Sequence, residues 1–145
     1  MVTRKLAVVL ALSGLAIVLL DVVAAVATMR YRFDYDRIAW ISYAVYALAG
    51  FFSARCTGAT EPVEASYGIA LGALGGASTA LVDSSLGWAV SWIMGPGRPP
   101  GGWPGFGFIA YVVGTVVAYG TGLGVVGGLM RVAVSGWNAR RRAAR

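Results

Sequence analysis

The sequence predicts an all-α fold, a compact four-helix transmembrane bundle with a short interfacial helix at its outer face. Three observations lead there. Hydrophobic residues make up 58% of the chain and charged residues only 12%, about half the charged share of a typical soluble domain. The apolar residues gather into four long runs, and none shows the period-2 alternation of a membrane strand. The polar segments between the runs are short, so residues 1–145 read as one transmembrane domain.

A span needs about 20 apolar residues. The first, 6–29, is interrupted only by Asp21, and the second, 38–54, is just long enough. The third run continues from Val63 to Met94, too far for one upright span, with Glu64 and Asp83 its only charges. It is expected to divide near Asp83 to Gly87, giving a span at 63–85. Residues 86–94 would then lie on the outer surface with Trp88 and Trp92 on one face. One long tilted helix is the alternative. The fourth span, 106–130, is uncharged, and a basic tail follows at 131–145.

Connections and direction follow from composition. Residues 30–37 alternate charged and aromatic side chains, which suits a segment at headgroup level, with Trp40 completing an aromatic belt. From Gly95 to Gly105, nine of eleven residues are Gly or Pro, an outer loop. Thr60 ahead of Glu61 and Pro62 reads as a helix N-cap. With the N-terminus inside, cytoplasmic segments hold Arg4, Lys5, Arg55, Arg131, Arg140, Arg141, Arg142 and Arg145, against Arg30, Arg32, Arg37 and Arg98 outside. That excess predicts a multi-pass protein of the cytoplasmic (inner) membrane with both termini in the cytoplasm. Arg4 and Lys5, an apolar run and Ala25-Val26-Ala27 also resemble a cleavable signal peptide. The run extends on both sides of Asp21, longer than such a leader needs, so an uncleaved first span is expected.

Several chemistries are excluded. Histidine is absent and Cys56 is the only cysteine, which removes disulfides, thiol-rich metal sites and His-dependent triads. No cofactor or metal site is expected. Net charge is +6, but the basic tail beside a span reads as a topology anchor on anionic lipid rather than a nucleic-acid patch.

Glycine is 21 of 145 residues, about twice average usage, and its placement is ordered. Gly68, Gly72 and Gly76 in span three, and Gly120, Gly124 and Gly128 in span four, recur every four residues. That spacing keeps each row on one helix face, where it permits close backbone approach between spans or between protomers. The flanking decapeptides, 67–76 and 119–128, match at six positions, too short a match to establish a duplication.

Asp21 and Asp83 are the only acidic residues well inside the spans. At 1.5 Å per residue they lie about 22 Å from Leu6 and about 30 Å from Val63, both toward the outer side. Asp21 shares a face with Gly14 and Thr28, and Asp83 with Gly72 and Gly76, so both should point into the bundle. Tyr43, Tyr46, Tyr111, Thr115, Ser84 and Ser85 lie at similar depth, and the first four complete a candidate proton or cation site. The spans lack the G-x-G-D pattern of presenilin-type and prepilin peptidases, the flanked aspartates of lipoprotein signal peptidases, and the Glu-centred motif of small multidrug transporters.

The function expected from these residues is a non-enzymatic membrane scaffold or accessory subunit, packing through its glycine faces as a homo-oligomer or against a membrane partner. The alternative is a small proton- or cation-linked transporter or channel using Asp21 and Asp83. An intramembrane hydrolase ranks last. A reporter fused after Arg145 should be active only on the cytoplasmic side; an active outer fusion would break the four-span topology.

Overall fold

The computed structural model describes residues 2–32, 39–56, 62–95, 101–102 and 104–144. Among them every regular element is helical. Helix α1 is Val2–Tyr31, α2 Ala39–Arg55 and α3 Pro62–Val82; a π-helical turn, Asp83–Gly87, leads into α4, Trp88–Met94, and α5 is Phe106–Ala143. The expected N-cap at Thr60, most of the 30–37 segment and much of the Gly/Pro loop lie outside the described residues.

The helices form because each apolar run is free of internal proline, and in hydrocarbon a helix satisfies its own backbone. Pro62 stands at the first position of α3, where its missing N–H costs nothing. Helix α1 ends before Arg32, whose φ is 52°, and α4 ends at Gly95, whose φ is 116°. The Gly95 N–H donates to the Ser91 carbonyl at 3.0 Å and closes that last turn. Hydroxyls inside the spans donate back along their own helices: Thr28 to the Ala24 carbonyl at 2.9 Å, and Thr121 to that of Val117 at 2.7 Å.

Three helical stretches are long and apolar enough to cross a membrane: Thr3–Tyr31, Ala65–Met94 and Phe106–Arg142. Helix α2, at 17 residues, measures about 26 Å, short of a hydrocarbon core of about 30 Å. Burial is inverted relative to a soluble bundle. Leu12, Leu15, Leu19 and Val23 of α1 are exposed, while Asp21, Ser53, Thr79, Ser84 and Ser91 are buried. Apolar side chains outward and polar ones inward suit a lipid solvent.

Packing is densest between α3 and α5, with α2 against both; α1 lies outside this trio, on α2, α3 and α4. The two glycine rows face each other inside the chain. A Cβ added to Gly76 would sit 2.7 Å from the Gly124 Cα, and one on Gly72 would sit 3.0 Å from the Gly128 Cα. Gly68 meets the far end of the opposite row, its carbonyl 3.5 Å from a Cβ built on Gly128, and Gly120 packs on Gly76 and Ala80. Helix α2 joins through Gly50, whose added Cβ would be 2.6 Å from the Gly124 Cα, and through Gly127, 2.7 Å from the Phe51 amide nitrogen. These are backbone contacts, so no side chain can move aside to admit a methyl group.

Two features differ from expectation. The 86–94 segment does not part from span three to lie on a surface. Val82, Gly87 and Trp88 keep right-handed helical dihedrals, and α4 packs on α1 with Ser91 buried. A π turn takes up the irregularity without breaking the helix: the Trp88 N–H donates to the Asp83 carbonyl, five residues back. At the other end, residues 131–143 of the basic tail continue α5 as helix.

Gly124 and Gly122 provide a matched test. A Cβ on Gly124 would meet Gly76 Cα at 2.9 Å, whereas one on Gly122 meets nothing within 4 Å. Alanine at Gly122 should therefore hold or raise the melting temperature in detergent, by up to about 1 kcal/mol of helix propensity. Alanine at Gly124 should lower it, with overpacking costing about 1–3 kcal/mol. Equal melts for the two variants would show that this contact does not hold the bundle.

Candidate functional site: a carboxyl pair at the π turn

Helix α1 offers α3 and α4 a face of mostly small residues. Gly14, Ile17, Asp21, Ala24 and Ala25 recur at helical spacing and all are buried. The same face carries a polar contact two turns earlier, where the Ser13 and Thr79 hydroxyls lie 3.1 Å apart and the Thr79 hydroxyl is 2.9 Å from the Gly75 carbonyl. A Cβ built on Gly14 would stand 3.6 Å from the Val82 side chain, in ordinary contact. These contacts fix the depth at which Asp21 meets α3.

At that depth stands the π turn. One carboxyl oxygen of Asp21, Oδ2, occupies the space where a Cβ on Gly87 would be, and the same point is 3.0 Å from Asp83 Oδ1. Both carboxyl groups therefore approach the same face of the Gly87 backbone. Asp21 is 6% exposed, and Asp83 is half-buried. The Tyr46 hydroxyl donates to Asp83 Oδ2, and Tyr46 itself is buried. Three elements thus supply the site: α1 gives Asp21, the π turn Asp83, and α2 Tyr46.

The remaining expected residues stand apart. Tyr43 is half-exposed; its ring packs on Tyr46 at 6.3 Å and stacks on Tyr119 at 6.4 Å. It touches the site through Tyr46 alone among these ring contacts. Tyr111 is 71% exposed and points away from the bundle. Thr115 is half-buried on α5, outside the hydrogen bonds to Asp83. Among the described residues no group of three His, Cys, Asp or Glu side chains gathers here or elsewhere.

Gly87, Ser84 and Ser91 belong to the site's surroundings; Ser84 stands at the depth expected of it, whereas Gly87 and Ser91 were not anticipated there. Ser84 and Ser91 are buried; Ser84 donates to the Leu81 carbonyl at 3.3 Å, while the Ser91 hydroxyl has no hydrogen-bond partner. A signal for them existed. The small-residue row of α3 does not stop at Gly76 but runs on through Ala80, Gly87 and Ser91 at near-helical spacing.

Chemically, the site gathers two carboxyl groups around one glycine. They can share a proton or bracket a cation, and Tyr46 fixes one of them by donating to it.

The fold and site define an all-helical protein with three helices long and apolar enough to cross a membrane. Comparison with protein-family models, curated proteins and solved structures finds no match.

The approach of Asp21 to Gly87 can be tested by a double-mutant cycle. Gly87→Ala alone should destabilise the folded protein by about 1–3 kcal/mol, since the methyl group displaces a buried carboxyl. In an Asp21→Ala background the same change should cost little. An equal cost in both backgrounds would mean that Asp21 does not lie against Gly87.

Proposed function

We propose that this chain is a four-span protein of the cytoplasmic membrane, with both termini in the cytoplasm, that binds and releases a proton at the Asp21–Asp83 pair as part of a transport cycle. The observation that carries this reading is the convergence of two carboxyl groups from different elements on Gly87, with the buried Tyr46 donating to one of them. An ionised carboxylate at the centre of a span costs at least about 2.5 kcal/mol even on the mild insertion scale. The four apolar runs contain no Lys or Arg to offset two of them. A shared proton, or a bound cation, resolves that cost and can be exchanged. Helix α1 contributes one carboxyl from outside the glycine-packed trio, so changing the charge of the pair acts on the joint between α1 and the trio.

A scaffold or accessory subunit is the second reading, favoured by one feature. A cavity of about 410 Å³ between α1 and α2 is lined by apolar residues including Leu12, Val45, Leu48 and Phe52, a seat that another helix could fill. The glycine rows, by contrast, are covered within the chain and leave little of themselves to a partner. Hydrolysis is the least supported reading, because the spans carry none of the aspartate motifs of the membrane peptidases named above.

Flux in proteoliposomes separates the readings. Under an imposed potential and a proton, sodium or potassium gradient, the wild-type protein should move protons or cations above protein-free vesicles. Asp21→Asn and Asp83→Asn should each return the flux to that baseline while melting normally. Wild-type flux at baseline under all gradients, or full flux in the folded variants, would remove the transport reading.

A further inference from the structure

The opposite end of the bundle carries two arginines on parallel, touching helices. Helices α2 and α5 come into backbone contact at Phe51 and Gly127. One turn further along each lie Arg55 and Arg131, which line a single cavity of about 280 Å³ with Phe51, Val134 and Asn138. Arg131 is held rather than free. One of its terminal nitrogens, Nη1, donates to the Ser135 hydroxyl at 2.6 Å, and Ser135 donates back to the Arg131 carbonyl at 2.9 Å. Among the described residues its buried Nε has no hydrogen-bond partner.

We propose that this cavity binds a phosphate-type oxyanion between Arg55 and Arg131. A buried guanidinium N–H without an acceptor costs about 1–3 kcal/mol or more, and a second cation beside it adds repulsion. One anion relieves both. The polar lining is two guanidinium groups and one amide, a donor-rich set with the planar forks that match phosphate oxygens. Phe51 and Val134 give the cavity an apolar wall, as expected where a headgroup meets acyl chains. Basic pockets of this kind between spans, at the cytoplasmic side, suit anionic phospholipid headgroups. Asp21 and Asp83, the two acids whose side chains are described, sit at the far end of the bundle. Glu61 and the Glu64 side chain, outside the described residues, are the acids of the adjoining connection. The more distal arginines differ: Arg141 lies over the Trp137 ring at 4.9 Å, away from the cavity.

The source of the phosphate is open to direct test with the full chain in neutral detergent. Melting temperature is followed while adding phosphatidylglycerol, phosphatidylcholine or inorganic phosphate. Phosphatidylglycerol should raise it more than phosphatidylcholine. Arg55→Gln and Arg131→Gln should each shift the half-saturating concentration by about tenfold, the worth of a charged hydrogen bond. The double change Arg140→Gln/Arg142→Gln, outside the cavity, should leave it in place. A rise with inorganic phosphate that is lost in the same two variants also supports the site and assigns it to a soluble anion. If Arg131→Gln does not fold, Arg55→Gln alone carries the test. Equal responses to both lipids with none to phosphate, a response kept in Arg55→Gln, or one lost only in the distal double variant would overturn the proposal. A response that appears only after Glu61→Gln and Glu64→Gln would overturn it too, since the chain's own carboxylates would then be the arginines' partners.

Discussion

The approach of α3 to α5 without intervening side chains is the constraint on which the rest of the bundle depends. Lipid tails supply no hydrophobic drive for helices to associate, so association rests on van der Waals contact and hydrogen bonds. Contact is largest where backbones touch, and only glycine allows that over several turns. Gly72 and Gly76 on one side, with Gly120, Gly124 and Gly128 on the other, bring the two helices together. Gly50 and Gly127 then admit α2 into the same cluster. With the axes this close, the side chains flanking the glycine rows have little freedom of position. Tyr46 is fully buried on α2, and Arg131 on α5 emerges beside Arg55.

The π turn follows from the same geometry. A regular helix continuing the glycine row of α3 keeps one face toward α5 and α2. The added residue of a π turn rotates the following helix, and α4 packs on α1 instead. The turn begins at Asp83 and ends at Gly87, so the rotation both aims one carboxyl and clears space for the other. Serines at 84 and 85 suit such a place, because their hydroxyls donate to the Leu81 carbonyl at 3.3 and 2.5 Å. The irregular hydrogen bonding of the π turn is thus partly served by local side chains.

Much of this was legible in the sequence, for identifiable reasons. Apolar run length reports helices directly, and charge interrupts it, so α1, α2, α3 and the start of α5 could be placed within a few residues, while α5 runs on past the expected span to Ala143. Residues 86–94 were misassigned because a Gly, two serines and an acid resemble a helix break. In an apolar medium an unsatisfied backbone costs more than an irregular turn, and the chain keeps its helix. Tyr46 could be named but not separated from Tyr43 and Tyr111. All three lie at similar depth, and only the rotation of α2 and α5 about their axes decides which faces inward. That rotation is set by Gly50 and Gly127, two glycines outside the regular rows. Gly87 was missed because the face of Asp83 was traced backward through Gly76 and Gly72 but not forward.

The two kinds of contact in this bundle differ in what can alter them. Glycine contacts between α3, α5 and α2 carry no charge, and neither pH nor ions act on them. The attachment of α1 runs instead through Ser13 and Thr79 and through Asp21 at Gly87. Two unit charges at 4 Å repel by about 4 kcal/mol at an effective dielectric constant of 20, comparable to the worth of several packing contacts. A proton on either carboxyl removes that repulsion. On the proposed reading, then, the trio is the fixed body and α1 the element whose seating follows protonation. The apolar cavity between α1 and α2 lies along that joint, where the packing is already incomplete. Among the described residues, both acidic side chains stand at that joint, where a change of charge can reach the seating of α1.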